Sequence, residues 1–208
     1  MQYKWLNKQN NKNLIVFFNG WGMDEKIVKN LDCQNFDVIT FFDYRTFDMP
    51  ITDFSIYEKQ YLIAWSMGVY VCNLFYDKFK DFDGFTAING TQKPIDDNFG
   101  IPTLAYNLTV DNFNELTCKK FMKKISTEVN LQDYCSRSLN ELRQELISIR
   151  DLKINDFLSF NKAILSTKDR IFPFNNMLNY WQTTKTDIVQ IEGSHYIFDK
   201  IKNWSDLI

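Results

Sequence analysis

The chain holds a single histidine, His195, in 208 residues. That scarcity excludes a His-based metal centre on ligand supply and leaves one imidazole for any acid–base chemistry. Cysteine is nearly as sparse: Cys33, Cys72, Cys118 and Cys135 lie far apart and form no C-x-x-C pair. Neither a zinc signature nor a disulfide framework arises from such spacing, so reduced thiols and no bound metal are the expectation. No apolar run approaches the ~18 residues a bilayer span requires, and the first eight residues, Met-Gln-Tyr-Lys-Trp-Leu-Asn-Lys, contain no apolar core of the signal-peptide kind. A soluble, cytoplasmic protein without a membrane partner is expected. A net charge of −2 offers no general attraction for nucleic acid. Any basic contact surface must be local, and nothing in the pattern calls for a cofactor or reports an oligomeric state.

What is abundant is apolar. Hydrophobic residues make up 45% and charged residues 24%, a globular composition at the length of one domain. Phenylalanine alone accounts for 19 positions. A Phe-rich core explains this most simply, with some rings free to line a pocket for an aliphatic chain.

Short runs at 14–18, 38–42 and 61–65 read as buried strands and those at 85–88, 163–166 and 187–191 as further strands, with an edge strand at 2–6. A short helix fits 25–31, and Met67, Tyr70, Val71, Leu74 and Phe75 recur at helical intervals after the 61–65 run. Strands alternating with helices predict an α/β fold, a mostly parallel sheet with helices on both faces. Between about 91 and 156 the pattern changes. Segments 112–127 and 131–149 look helical, with Leu139, Leu142, Leu146 and Ile149 in step, so residues 1–90 and 157–208 read as the core and 91–156 as a helical cap insertion. This insertion carries Lys119, Lys120, Lys123 and Lys124, then Arg137, Arg143 and Arg150. They are either a solvated face or a docking surface for an acidic partner.

Ala64-Trp65-Ser66-Met67-Gly68 joins a strand to a helix and has the form of a G-x-S-x-G nucleophile elbow with Ala in the first place. Such a turn exposes the serine hydroxyl and aims the next backbone N–H, that of Met67, at a developing oxyanion. An ordinary strand-to-helix connection is the plainer reading. Asn19-Gly-Trp-Gly-Met-Asp24 follows the 14–18 strand, and its two glycines would let the Trp21 N–H supply a second donor; alternatively it is a simple Gly-rich turn. Trp21 and Trp65 are candidates to line a substrate pocket. Asp169 follows the 163–166 strand and His195 follows 187–191, so Ser66, Asp169 and His195 occur in the order of α/β-hydrolase triads, each past the end of its own strand. Asp43 and Asp111 are rival acids, Asp169 being favoured because it shortly precedes the histidine.

The strings Asn19-Gly-Trp-Gly-Met-Asp, Ala-Trp-Ser66-Met-Gly, Gly-Thr-Gln-Lys-Pro-Ile-Asp-Asp97 with Gly-Ile-Pro102, and Gly-Ser-His195-Tyr-Ile-Phe together resemble the BioG-type pimeloyl-acyl carrier protein methyl ester esterases of biotin synthesis. The resemblance spans essentially the whole chain. Ala64 and Asn19 depart from the wider hydrolase pattern, which more often has Gly and His there. The resemblance implies a compact α/β-hydrolase that cleaves the distal methyl ester of pimeloyl-acyl carrier protein through a Ser-His-Asp triad. It also implies acidic acyl carrier protein as the partner for the basic residues of the insertion. A general short-chain carboxylesterase or thioesterase, and a noncatalytic hydrolase-like binding protein, are the alternatives.

Overall fold

The computed structural model describes residues 1–50, 52–126 and 135–208. Seven strands form one sheet: β1 (Gln2–Asn7), β2 (Asn13–Phe18), β3 (Phe36–Phe42), β4 (Lys59–Trp65), β5 (Gly84–Ile88), β6 (Lys162–Ser166) and β7 (Asp187–Ile191). Their spatial order is β1-β3-β2-β4-β5-β6-β7, with β1 antiparallel to β3 and every other neighbour parallel. The chain leaves β2 toward β3, then crosses back to β4 and continues in the opposite direction. Since parallel crossovers are right-handed, reversing the direction of travel moves the connections to the other face, and the crevice at that reversal lies at the strands' C-terminal edge.

Both faces are covered, as alternation along β2 shows. Phe17 packs edge-on against Phe198 and Trp204, whereas Phe18 on the opposite face meets Phe75 and Phe79. All of Leu14 to Phe18 is withdrawn from solvent. Each such side chain contributes roughly 1.5–3 kcal/mol on burial, which makes β2 the axis of the core.

The regular helices are α1 (Gly68–Val71), α2 (Tyr76–Phe79), α3 (Thr103–Asp111), α4 (Glu115–Ile125), α5 (Leu139–Asp151) and α6 (Phe174–Trp181). The periodicity after Ser66 predicts one continuous helix, but a 3₁₀ turn at Cys72–Phe75 divides it into α1 and α2. The cause is Asn73. Its buried amide donates to the Val69 and Tyr70 carbonyls at 2.7 and 2.9 Å and accepts from Gln92 and the Leu158 N–H, both at 2.8 Å. A side chain taking backbone carbonyls in this way competes with the helix ladder. The helix expected over 25–31 is likewise shorter, a 3₁₀ turn at Glu25–Val28 capped by the Asp24 carboxylate.

Among the described residues three helices, α3 to α5, stand between β5 and β6. The helix α3, which follows Pro102, is absent from the sequence reading; of the two segments anticipated there, residues 127 and 131–134 lie outside the described residues. Ser138 and Glu141 close a reciprocal capping box at the start of α5, with the Ser138 N–H donating to the Glu141 carboxylate at 2.8 Å, a device worth about 1 kcal/mol. Among the described residues no helix is long and apolar enough to cross a membrane. All four cysteines are free thiols.

Candidate active site

Ser66 sits where β4 ends and α1 begins, with φ of 57°, the left-handed region. Such a conformation costs a non-glycine residue of order 1–3 kcal/mol, so neighbours must hold it. The Ser66 N–H donates to the Ile88 carbonyl at 2.9 Å. Two glycines make the turn sterically possible: a Cβ on Gly90 would come within 2.3 Å of the Ser66 carbonyl oxygen, and one on Gly68 within 2.4 Å of the Phe18 carbonyl oxygen. Ala64, in the motif's first place, is itself fully buried in β4.

The Ser66 hydroxyl lies 2.8 Å from His195 Nε2, and His195 Nδ1 lies 2.7 Å from Asp169 Oδ2. An ionised carboxylate only accepts, so Nδ1 carries the proton and Nε2 is left to accept from the serine. The second Asp169 oxygen accepts the Ile171 and Phe172 N–H groups at 2.7 and 3.0 Å, which fixes the carboxylate plane. The Phe172 ring lies parallel to the imidazole, and Trp65 flanks it at 5.3 Å. The structure therefore brings Ser66, Asp169 and His195 together in one hydrogen-bonded row. The rival acids stand elsewhere. Asp43 is held by Arg45 at 2.7 Å and by Arg137, and although burial opposes ionisation, these two cations keep its carboxyl below the usual range. Asp111 is exposed at the end of α3.

The His195 loop is secured from behind by a residue the sequence reading passed over. Asn89, at the end of β5, donates to the His195 carbonyl at 2.9 Å and to the Ser166 hydroxyl at 2.8 Å, and accepts the Ser166 N–H at 2.7 Å. Trp65 donates its indole N–H to the same His195 carbonyl at 3.0 Å. Trp65 thus has a hydrogen-bonding duty as well as facing the cavity.

Trp21 and Met67 flank Ser66 in the cavity wall, and among the described residues neither backbone N–H has a hydrogen-bond partner. Asn19, where other hydrolases often have His, donates to the Asp24 carbonyl and accepts the Gly20 N–H, closing the loop on itself. The Trp21 indole donates to the Leu142 carbonyl of α5 at 2.9 Å, and its ring packs on Phe113 and Phe121. Deeper still, the Glu145 carboxylate of α5 accepts the N–H groups of Gly22 and Tyr44 and pairs with Arg137 at 2.9 Å. Neither Glu145 nor this role was visible in the chain as written.

These contacts correct part of the docking expectation. Arg137 is not a surface residue: it is buried between Asp43 and Glu145 and donates to the Met23 carbonyl. Arg143 donates to the Val110 carbonyl, Arg150 pairs with Asp151, and Lys119 pairs with Glu115 one turn away. Lys120, Lys123 and Lys124 remain exposed on α4. Only the Arg137 side chain is withdrawn from a surface that a partner could reach; the Lys119–Glu115 and Arg150–Asp151 pairs lie in solvent.

A cavity of about 200 Å³ opens over Ser66 and His195. Its walls come from the Trp21 loop, from Ile101, Tyr106, Phe121, Ile125 and Leu146 of the inserted segment, and from Ile171 and Pro173 after β6. Among the described residues no cluster of side chains suited to a metal ion is found. The arrangement is a serine hydroxyl hydrogen-bonded to an imidazole at the floor of a largely apolar pocket.

Known proteins bear on this arrangement. A solved structure of BioG from Haemophilus influenzae superposes with a TM-score of 0.90 and 32% identity, covering 100% of this chain and 99% of that one. An uncharacterised protein of the same species is 33% identical over 206 residues, 94% of each chain. A malonyl-[acyl-carrier protein] O-methyltransferase of Bacteroides fragilis is 36% identical over 195 residues, 89% of this chain, which spans only 40% of that protein's length. A lipase-esterase related protein from Clostridium acetobutylicum, 13% identical with a TM-score of 0.69, shares the α/β-hydrolase fold. A family model described as pimeloyl-ACP methyl esterase BioG matches residues 1–207, and the chain belongs to the BioG family.

Proposed function

We propose that this chain is a serine esterase that removes the methyl group from pimeloyl-acyl carrier protein methyl ester, giving methanol and the free carboxylate used in biotin synthesis. The observation that carries the reading is the row Ser66–His195–Asp169, joined at 2.8 and 2.7 Å beneath an apolar cavity. His195 Nε2 takes the hydroxyl proton as Ser66 Oγ attacks the ester carbonyl, and Asp169 stabilises the imidazolium that results. The N–H groups of Trp21 and Met67 receive the oxyanion; losing one such donor costs about 10²–10³-fold in rate. Collapse expels methanol with the proton from His195. Water, deprotonated by the same nitrogen, then attacks the acyl-enzyme, and Ser66 regains its proton as the acid departs.

The segment 91–156 acts in this reading as a cap. Its apolar residues roof the cavity, and each acyl methylene they shelter contributes ~0.8 kcal/mol. The carrier remains outside, with its acyl arm threaded to Ser66.

The test is to incubate the protein with methyl pimeloyl-acyl carrier protein and weigh the intact carrier, using Ser66→Ala as the blank. Loss of one methylene's mass, absent in the variant, supports the esterase. Loss of the whole acyl group would make the enzyme a thioesterase. An unchanged carrier would favour a general short-chain esterase if small esters are cleaved, or a noncatalytic binding protein if a fluorophosphonate also fails to label Ser66.

A further inference from the structure

Beside the catalytic cavity lies a surface groove built from three separate stretches of chain: Lys123 and Lys124 of α4, Lys168 and Arg170 after β6, and Glu192 and Lys200 around the His195 loop. Five cations and one carboxylate converge there, in a protein whose net charge is −2. Like charges gathered from distant parts of the chain repel, and folding alone has no use for them. Their internal pairing is incomplete. Glu192 accepts from Lys168 at 2.5 Å, and Lys200 reaches the Glu192 carbonyl at 2.7 Å. Among the described residues Lys123, Lys124 and Arg170 have neither an ion pair nor a hydrogen bond.

Lys124 and Arg170 line both this groove and the cavity over Ser66. The groove is therefore continuous with the place where an acyl chain, its ester at Ser66, must leave the protein. Whatever is attached to the far end of the chain emerges against these cations. Of the other basic residues, the Arg137 side chain is buried against Asp43 and Glu145, and Lys119 has Glu115 one turn away.

We infer that this rim, Lys123, Lys124, Lys168, Arg170 and Lys200, is the docking surface for the acidic face of the carrier protein that delivers the ester. The inference rests on the proposed esterase reading and replaces an insertion-only surface with one that straddles the insertion and the core. Glu192 tempers the rim by holding Lys168. Because the pairs form at an exposed, solvated surface, they act chiefly on encounter and are screened by salt.

Two variants test this, read with two substrates: methyl pimeloyl thioester on the carrier, and the same acyl group on free phosphopantetheine. Lys123→Glu with Lys168→Glu lies outside the cavity, and at low salt it is expected to raise KM for the carrier substrate about tenfold with kcat nearly unchanged. The phosphopantetheine substrate should be handled as by the unaltered enzyme. Glu192→Gln, which frees Lys168, should lower the carrier KM severalfold, a gain that misfolding cannot produce. An unchanged carrier KM in both variants overturns the inference, and so does an equal rise on both substrates, which would assign the rim to the arm's phosphate. If the carrier ester is not cleaved at all, the esterase reading fails instead. The rim is then judged by titrating Ser66→Ala protein with the carrier, where a Kd unaffected by the double charge reversal overturns it.

Discussion

The Glu145 carboxylate, on helix α5 of the insertion, accepts the Gly22 N–H at 3.2 Å, one residue from the Trp21 N–H assigned to the oxyanion. Its other partners, the Tyr44 N–H and Arg137, are donors too. Helix α5 thus holds the loop that carries the proposed oxyanion donor, and Gly22, at φ of 79°, gives that loop its turn. Glu145→Gln presents an amide NH₂ where a donor already stands, so one contact must break. Breaking a buried pair from one side costs about 3–5 kcal/mol, and a domain of this size loses about 2–4 °C per kcal/mol. A melting temperature lower by about 10 °C is expected, with kcat reduced about tenfold and KM little altered. Steady-state kinetics beside a thermal scan reads both, and a variant with normal kcat would detach Glu145 from the oxyanion loop.

Asp169 and Asp43 are separated by a paired comparison. Asp169→Asn leaves the imidazole able to adopt the wrong tautomer, and kcat should fall about 10⁴-fold with the fold intact. Asp43→Asn instead removes the negative charge shared by Arg45 and Arg137, sets an amide NH₂ where an accepting oxygen stood, and should lower stability while leaving most of the turnover of properly folded enzyme. Fluorophosphonate labelling rates, corrected for folded fraction by circular dichroism, distinguish them. The reverse ranking would remove Asp169 from the triad.

Why Ser66 and His195 could be read in one dimension is physical. Ser66 directly follows one strand and His195 stands four residues past the end of another, and a side chain past a parallel strand's C-terminal end is delivered to the crevice by the sheet's geometry. Asp169 followed from the same rule plus chain order. Glu145, Arg137 and Asn89 could not be read so, because their partners are far away in sequence: Gly22 for Glu145, Asp43 for Arg137, His195 for Asn89. A buried polar residue in a helix looks like any solvated one until its partner is known. The same limit affects charge. The run from Lys119 to Lys124 suggested one basic helix face, whereas space divides it, pairing Lys119 with Glu115 and setting Lys123 and Lys124 beside Lys168 and Arg170. Periodicity likewise found the helix after Ser66 but not its break, which depends on what Asn73 meets across the fold.

Asn89 supplies the third prediction. Its amide holds the His195 carbonyl and the N–H and hydroxyl of Ser166. Asn89→Ala leaves the Ser166 N–H and hydroxyl without that partner, at about 1–3 kcal/mol each, and leaves the His195 carbonyl to Trp65 alone, which loosens the loop that aims the imidazole. Both stability and kcat should drop, with KM little altered. A substituted enzyme that melts normally and turns over normally would show that Trp65, the other donor to the His195 carbonyl, suffices.

The elbow's two small residues should behave in opposite ways. A Cβ on Gly68 would meet the Phe18 and Asn19 carbonyl oxygens at 2.4 and 2.7 Å, and both belong to backbone that also starts the Trp21 loop. Neither oxygen is the far end of a flexible side chain, so β2 or the elbow must shift, and each shift misplaces an N–H assigned to the oxyanion. Gly68→Ala is expected to cost at least 10²-fold in kcat, the effect of losing one such donor. Ala64→Gly restores the commoner motif but only deletes a buried methyl and loosens a strand, at about 1 kcal/mol. Its kcat should match that of the unaltered enzyme. Measured together on the carrier ester, a harmless Gly68→Ala or a crippling Ala64→Gly would contradict the steric account of the turn at Ser66.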